Sequence, residues 1–274
     1  MPRQAFGHVT IVTSSFNSAP ALQRTAHSIQ EQTVRAEWII VDNESHDSTR
    51  SVIAQYSGIV NQFICEKDSG IYDAWNKALS VSTGEWILFL GAGDAFCSPS
   101  AIEMILPELD PLYPICYSNV LLYSPLGDLI STSGSVDVGA WDQLRPFLPH
   151  HQGCFHNRRH LALLPFPVFD PSYRIGGDTK VLIQLLQHGS FKHINQDAVA
   201  FVADGISSDP ANLSLIAKEH IRIIDEVEGY SPPAFYLRHR DLVLYLKICL
   251  YRLCGSRIYE KTMRLFGKNY YTKQ

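Results

Sequence analysis

The chain up to residue 90 alternates strictly between short apolar runs and segments in which apolar residues recur at helical spacing, as Leu22, Ala26 and Ile29 do. The runs predict strands over residues 8–13, 38–41, 59–65 and 86–90, with helices over 19–32, 48–56 and 70–80. Such alternation predicts an α/β fold whose mainly parallel, Rossmann-like sheet has helices on both faces. Ligands bind such sheets at the carboxyl ends of the strands.

After residue 110 the pattern becomes less regular. It predicts strands over 115–123, 129–133 and 194–202, helices over 179–188 and 213–228, one or two more helices over 238–266, and an irregular stretch over 146–160. With 274 residues, of which 46% are hydrophobic, the chain can bury one large core. We therefore predict a domain over 1–228, made of halves 1–110 and 111–228, followed by a helical tail over 229–274.

The predicted tail is strongly basic. Residues 229–274 carry nine Lys and Arg against two acids, so the tail is +7 and the rest of the chain −11. Apolar residues surround Lys247 and Arg252, which predicts either an amphipathic helix on an anionic membrane surface or a helix packed on the body with its basic face in solvent. The net charge of −4 argues against nucleic acid as a partner.

The sequence shows neither a long apolar h-region at its start nor an apolar run of about 18 residues. The six cysteines lack metal-binding spacing and have mostly apolar neighbours, which favours reduced core thiols. Together with the basic tail, these features predict a cytoplasmic protein, peripheral on the inner face of the plasma membrane.

Polar residues follow the first two predicted strands. Thr13, Ser15 and Asn17 follow the first, where small side chains let a ligand approach the backbone; a helix-capping turn explains them equally well. Asp42 and Asn43 end the second strand. A carboxylate at that place can accept hydrogen bonds from ribose hydroxyls or from the N–H of a base, so we favour ligand binding for Asp42.

A third polar cluster follows the third predicted strand and continues into a helix. It includes Asp68, Gly70, Asn76 and Lys77, which could face the ligand side of the sheet. We favour function for Asp68. For Lys77, an ion pair with Asp73 one helical turn earlier is an equal alternative, because residues four apart are neighbours on a helix.

The fourth cluster is Gly91, Ala92, Gly93 and Asp94, directly after the most apolar strand. Glycines allow a diphosphate with its metal ion to come close to the backbone. Mg²⁺ and Mn²⁺ prefer oxygen ligands and are commonly shared between one or two carboxylates and the phosphates of a substrate. This cluster therefore predicts binding of a divalent cation.

Together the four segments resemble the inverting family 2 glycosyltransferases of the GT-A fold. The matching stretches are VTIVTSSFN, WIIVDNESHDST, EKDSGIYDAWNKAL and GEWILFLGAGD, in the order and at the spacing of the family. A weaker likeness continues through His151 and Gln152 to Gly177 and Asp178, so the resemblance covers roughly residues 8–190. It is most similar to enzymes that extend bacterial surface polysaccharides.

The resemblance implies a metal-dependent hexosyltransferase for polysaccharide or glycolipid biosynthesis. Its donor would be a nucleoside-diphosphate sugar, with UDP favoured over GDP and dTDP, and its acceptor a glycan or lipid-linked hydroxyl. Asp42 matches the acid that holds the base or ribose, Asp68 a second acid of the nucleotide pocket, Asp94 the ligand of Mn²⁺ or Mg²⁺, and Asp178 the catalytic base. The other residues predicted to bind the donor are Thr13, Ser15, Asn17, Asn43, Gly70, Asn76, Lys77, Ala92 and Gly93.

Some features leave alternatives open. Gly91 and Gly93 stand where the family carries acids, so metal affinity is expected to be lower or the substrate phosphates to supply more ligands. For Asp178 the alternative is a helix N-cap. His151 is a candidate metal ligand or acceptor contact, against an exposed loop histidine. A non-catalytic nucleotide- or glycan-binding protein is the rival function. A nucleotidyltransferase would need a Gly-rich basic loop after the first strand, which the sequence lacks.

Overall fold

A computed structural model of the chain describes residues 9–136, 147–203, 209–230 and 245–253, with isolated positions beside these ranges. The first half has the predicted alternation. Its strands are β1 (Val9–Ser15), β2 (Glu37–Asp42), β3 (Gln62–Cys65) and β4 (Trp86–Phe89), and its helices are α1 (Ala19–Gln30), α2 (Thr49–Gln55) and α3 (Ile71–Val81). Every strand and helix predicted there is confirmed, with ends that differ by a few residues.

The second half is mixed in character. Its strands are β5 (Ala95–Phe96), β6 (Ile115–Tyr123), β7 (Leu129–Ser133), β8 (Cys154–Asn157) and β9 (Lys192–Val202), and its helices are α4 (Ala101–Ile105), α5 (Arg158–Leu161), α6 (Gly177–Leu186) and α7 (Leu213–Glu226). A short 3₁₀ turn over His151–Gly153 leads into β8. β6 and β7 have the predicted bounds.

The strands of the described residues form one nine-stranded sheet, in the order β3-β2-β1-β4-β8-β6-β9-β5, with β7 paired to β6. β1 to β4 are parallel to one another, and β6 is parallel to β9. β8 runs antiparallel between β4 and β6, and β5 and β7 also pair antiparallel. The α/β prediction is therefore confirmed, and the parallel arrangement is concentrated in the first half.

Helices cover the sheet on both faces, as the apolar runs predicted. In β2, Trp38 and Ile40 belong to one core cluster, whereas Ile39 and Val41 belong to the other. Successive side chains of a strand point to opposite faces, so an uninterrupted apolar run is buried on both sides. The carboxyl ends of β1 to β4 are then left at one edge of the sheet.

β8 was missed by the sequence prediction, which treated its residues as irregular. His156 and Asn157 are polar, yet both are completely buried. The His156 ring bonds the carbonyl of Ile87 at 3.2 Å, and Asn157 caps α5 through the N–H of Arg159. Because two of its four residues are polar, the strand carries no continuous apolar pattern. Leu88 pairs with Phe155, which places the turn before β8 beside the end of β4.

Only part of the predicted tail can be described. Residues 245–253 are helical, and Ile248 and Leu250 pack against Leu213 of α7. Leu246 and Leu253 are exposed. Most of the predicted basic residues of the tail lie outside the described residues. Among the helices that the structure describes, none combines the length and the apolar character needed to cross a membrane.

Candidate active site

Asp42 organises the edge at which β1 and β2 end. Its side chain is completely buried. Its carboxylate accepts hydrogen bonds from the Ser15 hydroxyl at 2.8 Å, the Ser45 N–H at 2.8 Å and the Ser45 hydroxyl at 2.6 Å. In this structure Asp42 therefore does not present an open carboxylate to a nucleoside; it fixes the two loops that would form the nucleoside site.

Asparagines join the loops after β1, β2 and β3. The N–H of Asn17 donates to the Ser45 hydroxyl at 2.8 Å, and its side-chain oxygen accepts the N–H of His46 at 2.9 Å. The side-chain oxygen of Asn43 accepts the N–H of Asp68 at 2.9 Å. The structure thus brings together the predicted residues of the three loops: Ser15, Asn17, Asp42, Asn43 and Asp68.

Two predicted ligand contacts point into the core instead. Thr13 is completely buried, and its hydroxyl accepts the indole N–H of Trp38 at 3.1 Å. Asn76 is buried on α3, where its amide group exchanges two hydrogen bonds with the backbone of Phe169, at 2.5 and 3.0 Å. Both side chains hold the scaffold in this structure and do not face the strand ends.

Lys77 takes part in the ion pair that the sequence analysis kept as an alternative. Its ammonium nitrogen lies 3.6 Å from a carboxylate oxygen of Asp73 and 3.1 Å from one of Glu66. It also donates to the backbone carbonyl of Lys67 at 2.7 Å. Through these contacts, Lys77 connects α3 to the segment that follows β3.

Asp68 and Gly70 border open space at the same edge. The Asp68 carboxylate is half-buried and accepts the N–H of Gly70 at 3.0 Å, and burial raises the pKa of Asp68 above its ordinary value. Gly70 has a φ of +138°, which L side chains rarely adopt, and a Cβ added there would meet nothing within 4 Å. There is therefore open space for a ligand beside Gly70, a position whose backbone conformation favours glycine.

The segment from Gly91 to Asp94 forms a closed turn after β4. Asp94 is 5% exposed, and its carboxylate accepts the N–H of Gly91 at 3.0 Å. Gly93, at a φ of +106°, donates its N–H to the Thr25 hydroxyl, which in turn donates to the carbonyl of Asp94 at 2.7 Å. Ala92 is partly buried against the core. The glycines let the turn fold against its own carboxylate.

This turn suits a divalent cation only if a bound ligand supplies further oxygen atoms to the ion. In the described ranges no three His, Cys, Asp or Glu side chains are grouped so that they could hold a metal. Asp94 therefore offers a single carboxylate. Mg²⁺ usually keeps several waters and takes one or two carboxylates together with substrate phosphates. These residues suit an ion that arrives with a diphosphate rather than one held by the protein alone.

Asp178 lies in the first turn of α6 and lines a cavity of about 540 Å³, called here the Asp178 cavity. Its carboxylate accepts the N–H of Thr179 at 2.7 Å and contacts the Tyr72 hydroxyl at 3.4 Å. Burial raises the pKa of Asp178 to about 6. The residue that caps α6 is Gly176, so the N-cap alternative for Asp178 is wrong.

The backbone just before Asp178 is held from two sides by residues that the sequence analysis missed. The buried Glu219 of α7 accepts the N–H groups of Arg174, Ile175 and Gly176, at 2.7, 2.9 and 2.7 Å. The Tyr72 hydroxyl of α3 donates to the carbonyl of Ile175 at 2.5 Å. A sequence signal existed for Glu219, because it interrupts the apolar side of an amphipathic helix.

His151 lines the Asp178 cavity from the turn before β8. It is 6% exposed, so the alternative of an exposed loop histidine is wrong. Its ring stacks on Trp75, with centroids 4.9 Å apart, and neither ring nitrogen has a hydrogen-bond partner in the part of the chain that the structure describes. Burial lowers the pKa of His151 well below its ordinary value, so the imidazole is neutral.

Comparison with known proteins shows which family the first half of the chain matches. The sequence model of a family described as "Glycosyl transferase family 2" matches residues 10–133. The chain carries a glycosyl transferase family 2 domain. The match contains Asp42, Asp68 and Asp94 with the strands that place them. Asp178 and His151 lie beyond it.

Longer likenesses extend over the second half. Chondroitin synthase of Pasteurella multocida is 27% identical over 225 residues, which cover 80% of this chain and 23% of that protein. The chain spans less than half the length of the curated relatives it matches here.

Two solved structures share the fold at 15% identity. Mannosyltransferase PcManGT from Pyrobaculum calidifontis, in complex with GDP-Man and Mn²⁺, superposes with a TM-score of 0.62 over 97% of this chain and 77% of its own. S. aureus TarS in complex with UDP-GlcNAc superposes with a TM-score of 0.61 over 88% of this chain and 72% of its own. The chain therefore has the GT-A fold in both halves.

Proposed function

We propose that the chain is an inverting glycosyltransferase that moves a hexosyl group from a nucleoside-diphosphate sugar to an acceptor hydroxyl. The observation that carries the proposal is Asp178, a carboxylate on a cavity wall whose pKa burial raises to about 6. A carboxylate tuned in this way suits a general base near neutral pH. The family 2 domain beside it supplies the nucleotide-binding edge.

The donor would lie at the ends of β1 to β4. Asp42 and the two asparagines hold the loops there, and Asp68 and Gly70 border the open space. PcManGT carries GDP-Man and TarS carries UDP-GlcNAc, which supports a nucleotide sugar as the donor class. UDP-sugars stay our first choice for this chain, before GDP- and dTDP-sugars.

The acceptor would enter the Asp178 cavity. Its walls combine apolar side chains, such as Leu182 and Phe201, with polar groups, such as His151 and Gln152. A sugar offers both apolar ring faces and hydroxyls to such a wall. The similarity to chondroitin synthase supports a growing glycan as the acceptor and surface polysaccharide as the product.

In the reaction that this arrangement supports, an acceptor hydroxyl attacks the anomeric carbon from the face opposite the diphosphate. The new C–O bond forms as the bond to the diphosphate breaks, so the configuration inverts. Asp178 takes the proton of the attacking hydroxyl. Asp94 would hold the divalent ion, whose chemistry is to neutralise charge on the leaving diphosphate. The loops joined by Asp42 hold the donor in place for attack.

The rate should depend on pH through Asp178. A general base works only when it is deprotonated, and the pKa of this group lies near 6 in the folded chain. We expect kcat to fall about tenfold per pH unit below that value and to level off above it. Hydrolysis of a donor sugar measured from pH 4.5 to 8 checks this, and a flat profile across pH 6 would contradict the assignment.

Metal binding should depend on the nucleotide, because Asp94 offers one carboxylate. We expect Mn²⁺ alone to leave the melting temperature unchanged, UDP alone to raise it slightly, and the two together to raise it by more than the sum. Differential scanning fluorimetry with the four combinations tests this. A shift with Mn²⁺ alone would reveal a complete protein site instead.

The function itself is tested with a panel of UDP-, GDP- and dTDP-sugars in the presence of Mn²⁺. A glycosyltransferase should release the sugar slowly to water from its own donor, and Asp178→Asn should not. Nucleotide binding without hydrolysis of any donor would instead favour the rival function, a non-catalytic binding protein. The observation that supports this rival is that Asp94 offers only a single carboxylate for a metal ion.

We also propose that the tail brings the chain to an anionic membrane surface. Leu246 and Leu253 are exposed on the helix over residues 245–253, and the tail has a net charge of +7. Leu246→Glu should weaken co-sedimentation with vesicles rich in phosphatidylglycerol. Leu126→Glu, at an exposed turn between β6 and β7, is the matched control and should bind as the parent does. Equal binding by both variants would remove this idea.

A further inference from the structure

We propose that Glu219 is a positioning residue for Asp178: from α7 it holds the backbone turn that sets where the Asp178 carboxylate stands in the cavity. The proposal rests on the role of Asp178 in the proposed function. It assigns a purpose to a buried acid that lies outside the family 2 match and that does not line the Asp178 cavity.

The geometry is that of one carboxylate on three consecutive backbone donors. One oxygen of Glu219 accepts the N–H of Arg174, and the other accepts those of Ile175 and Gly176, all within 2.9 Å. Hydrogen bonds to a charged acceptor are about twice as strong as those between neutral groups. The turn ends one residue before α6 begins, so the hydrogen bonds fix the entry into the helix that carries Asp178.

The other side of the turn is fixed by Tyr72. Its hydroxyl donates to the carbonyl of Ile175, and its ring lies where a Cβ on Gly177 would be, at 2.7 to 2.9 Å. The turn therefore cannot shift towards α3 without meeting this ring. Glu219 on the side of α7 and Tyr72 on the side of α3 thus hold the backbone of the turn between them. A displacement of the order of 1 Å at a catalytic group can cost about 10²-fold in rate.

Glu219 also affects the charge state of Asp178 in a direction that can be measured. Burial is the cause that raises the pKa of Asp178. By holding the turn before α6, Glu219 would keep this carboxyl buried. Loosening the turn should therefore let water reach the carboxyl and lower its pKa towards the ordinary value of an aspartate.

The decisive variant is Glu219→Gln, with Glu226→Gln as its matched control. Glu226 lies on the same helix two turns later and pairs with Lys180 and Arg222, so its loss removes an acid without releasing the turn. The pKa of Asp178 is read from the carboxyl ¹³C signal that Asp178→Asn deletes. We expect this pKa to fall by about one unit or more in Glu219→Gln and to stay unchanged in Glu226→Gln.

Kinetics give the second measurement. In Glu219→Gln we expect donor hydrolysis to lose at least about tenfold in kcat while KM for the donor stays within about twofold, because the donor edge is untouched. If Glu219→Gln does not fold, Glu219→Asp replaces it, because a carboxylate one methylene group shorter keeps the charge but is drawn back from the three N–H groups of the turn. The same loss of kcat without a change in KM is then expected.

Two results would overturn the proposal: an unchanged pKa of Asp178 in a folded Glu219→Gln protein, or equal kinetic losses in Glu219→Gln and Glu226→Gln. Either would leave Glu219 with a purely structural role. Failure of the proposed function looks different. The parent would then hydrolyse no donor, while the ¹³C titration would still report whether Glu219 governs the pKa of Asp178.

Discussion

Asp178→Asn is expected to lower the turnover number by about 10²- to 10⁴-fold, the usual contribution of a general base. Asparagine has nearly the shape of aspartate and can still accept the N–H of Thr179 through its side-chain oxygen. It cannot accept the proton of an acceptor hydroxyl. The fold should therefore survive while the proton transfer does not.

The measurement must separate chemistry from binding. Asp178 lies in its own cavity, apart from the loops after β1 to β4 where we propose that the nucleotide binds, so the Kd for UDP should stay within about twofold of the parent. Asp170→Asn is the matched control. It removes a nearby acid that pairs with Lys180 and Arg222 and does not line the Asp178 cavity. Normal turnover by Asp178→Asn, or loss of UDP binding, would show that Asp178 is not the base.

The first half of the fold was readable because its strands are buried on both faces. In β2 every residue is buried, and the four from Trp38 to Val41 are apolar without a break, so a strand is the simplest interpretation. β8 gave no such signal. The His156 ring bonds the carbonyl of Ile87 and the Asn157 amide group bonds the carbonyl of Pro111, partners that are far away in the sequence and that only the folded chain brings close.

Chain position predicts where a site residue lies in the fold but not which way its side chain points. Chain position puts Asp42 at a strand end, but its hydrogen bonds to Ser15 and Ser45 depend on how two loops meet. Asn76 shows the same limit. It sits on the polar-looking side of α3 in the sequence, yet it bonds Phe169, a residue 93 positions later that only the folded chain brings close. The roles of these side chains in binding stay predictions.

Glu219 and Tyr72 escaped the sequence analysis for a related reason. A glutamate within an apolar stripe can be noticed, but its purpose lies in three backbone donors 43 to 45 residues earlier. Tyr72 had been counted with neither the core nor the site, although its hydroxyl reaches Ile175 and Asp178. Backbone groups carry no sequence signature of their own, so the distant backbone partners of Glu219 and Tyr72 were found only in the structure.

Gly177→Ala should cause the second largest loss of activity, because the added methyl group would collide with the ring of Tyr72. A Cβ at this position would lie 2.7 to 2.9 Å from three ring carbons of Tyr72. That ring is 3% exposed and is flanked by Trp75 and Phe169, at centroid distances of 5.4 and 6.0 Å, so it has nowhere to move. Overpacking of this kind costs roughly 1–3 kcal/mol of folding free energy.

The functional loss should exceed the loss of stability. Because Gly177 is the first residue of α6, the added methyl group must push the start of the helix, and Asp178 with it, away from α3. We expect a melting temperature lower by roughly 2–10 °C and a kcat lower by about 10²-fold. Thermal unfolding and donor hydrolysis, measured on the same preparation, check both numbers.

Gly176→Ala is the control that makes this test specific. Its Cβ would come within 3.3 Å of the end of the Ile223 side chain and 3.4 Å of a Glu219 oxygen, contacts that a small adjustment relieves. We expect its melting temperature and its kcat to fall by less than those of Gly177→Ala, because the end of the Ile223 side chain can give way. If both alanine variants lose the same activity, crowding against Tyr72 is not what places Asp178. If only Gly177→Ala loses activity, the ring of Tyr72 sets the position of Asp178. Tyr72 lies on α3, which begins directly after Gly70, so one helix would then connect the proposed donor site with the proposed base.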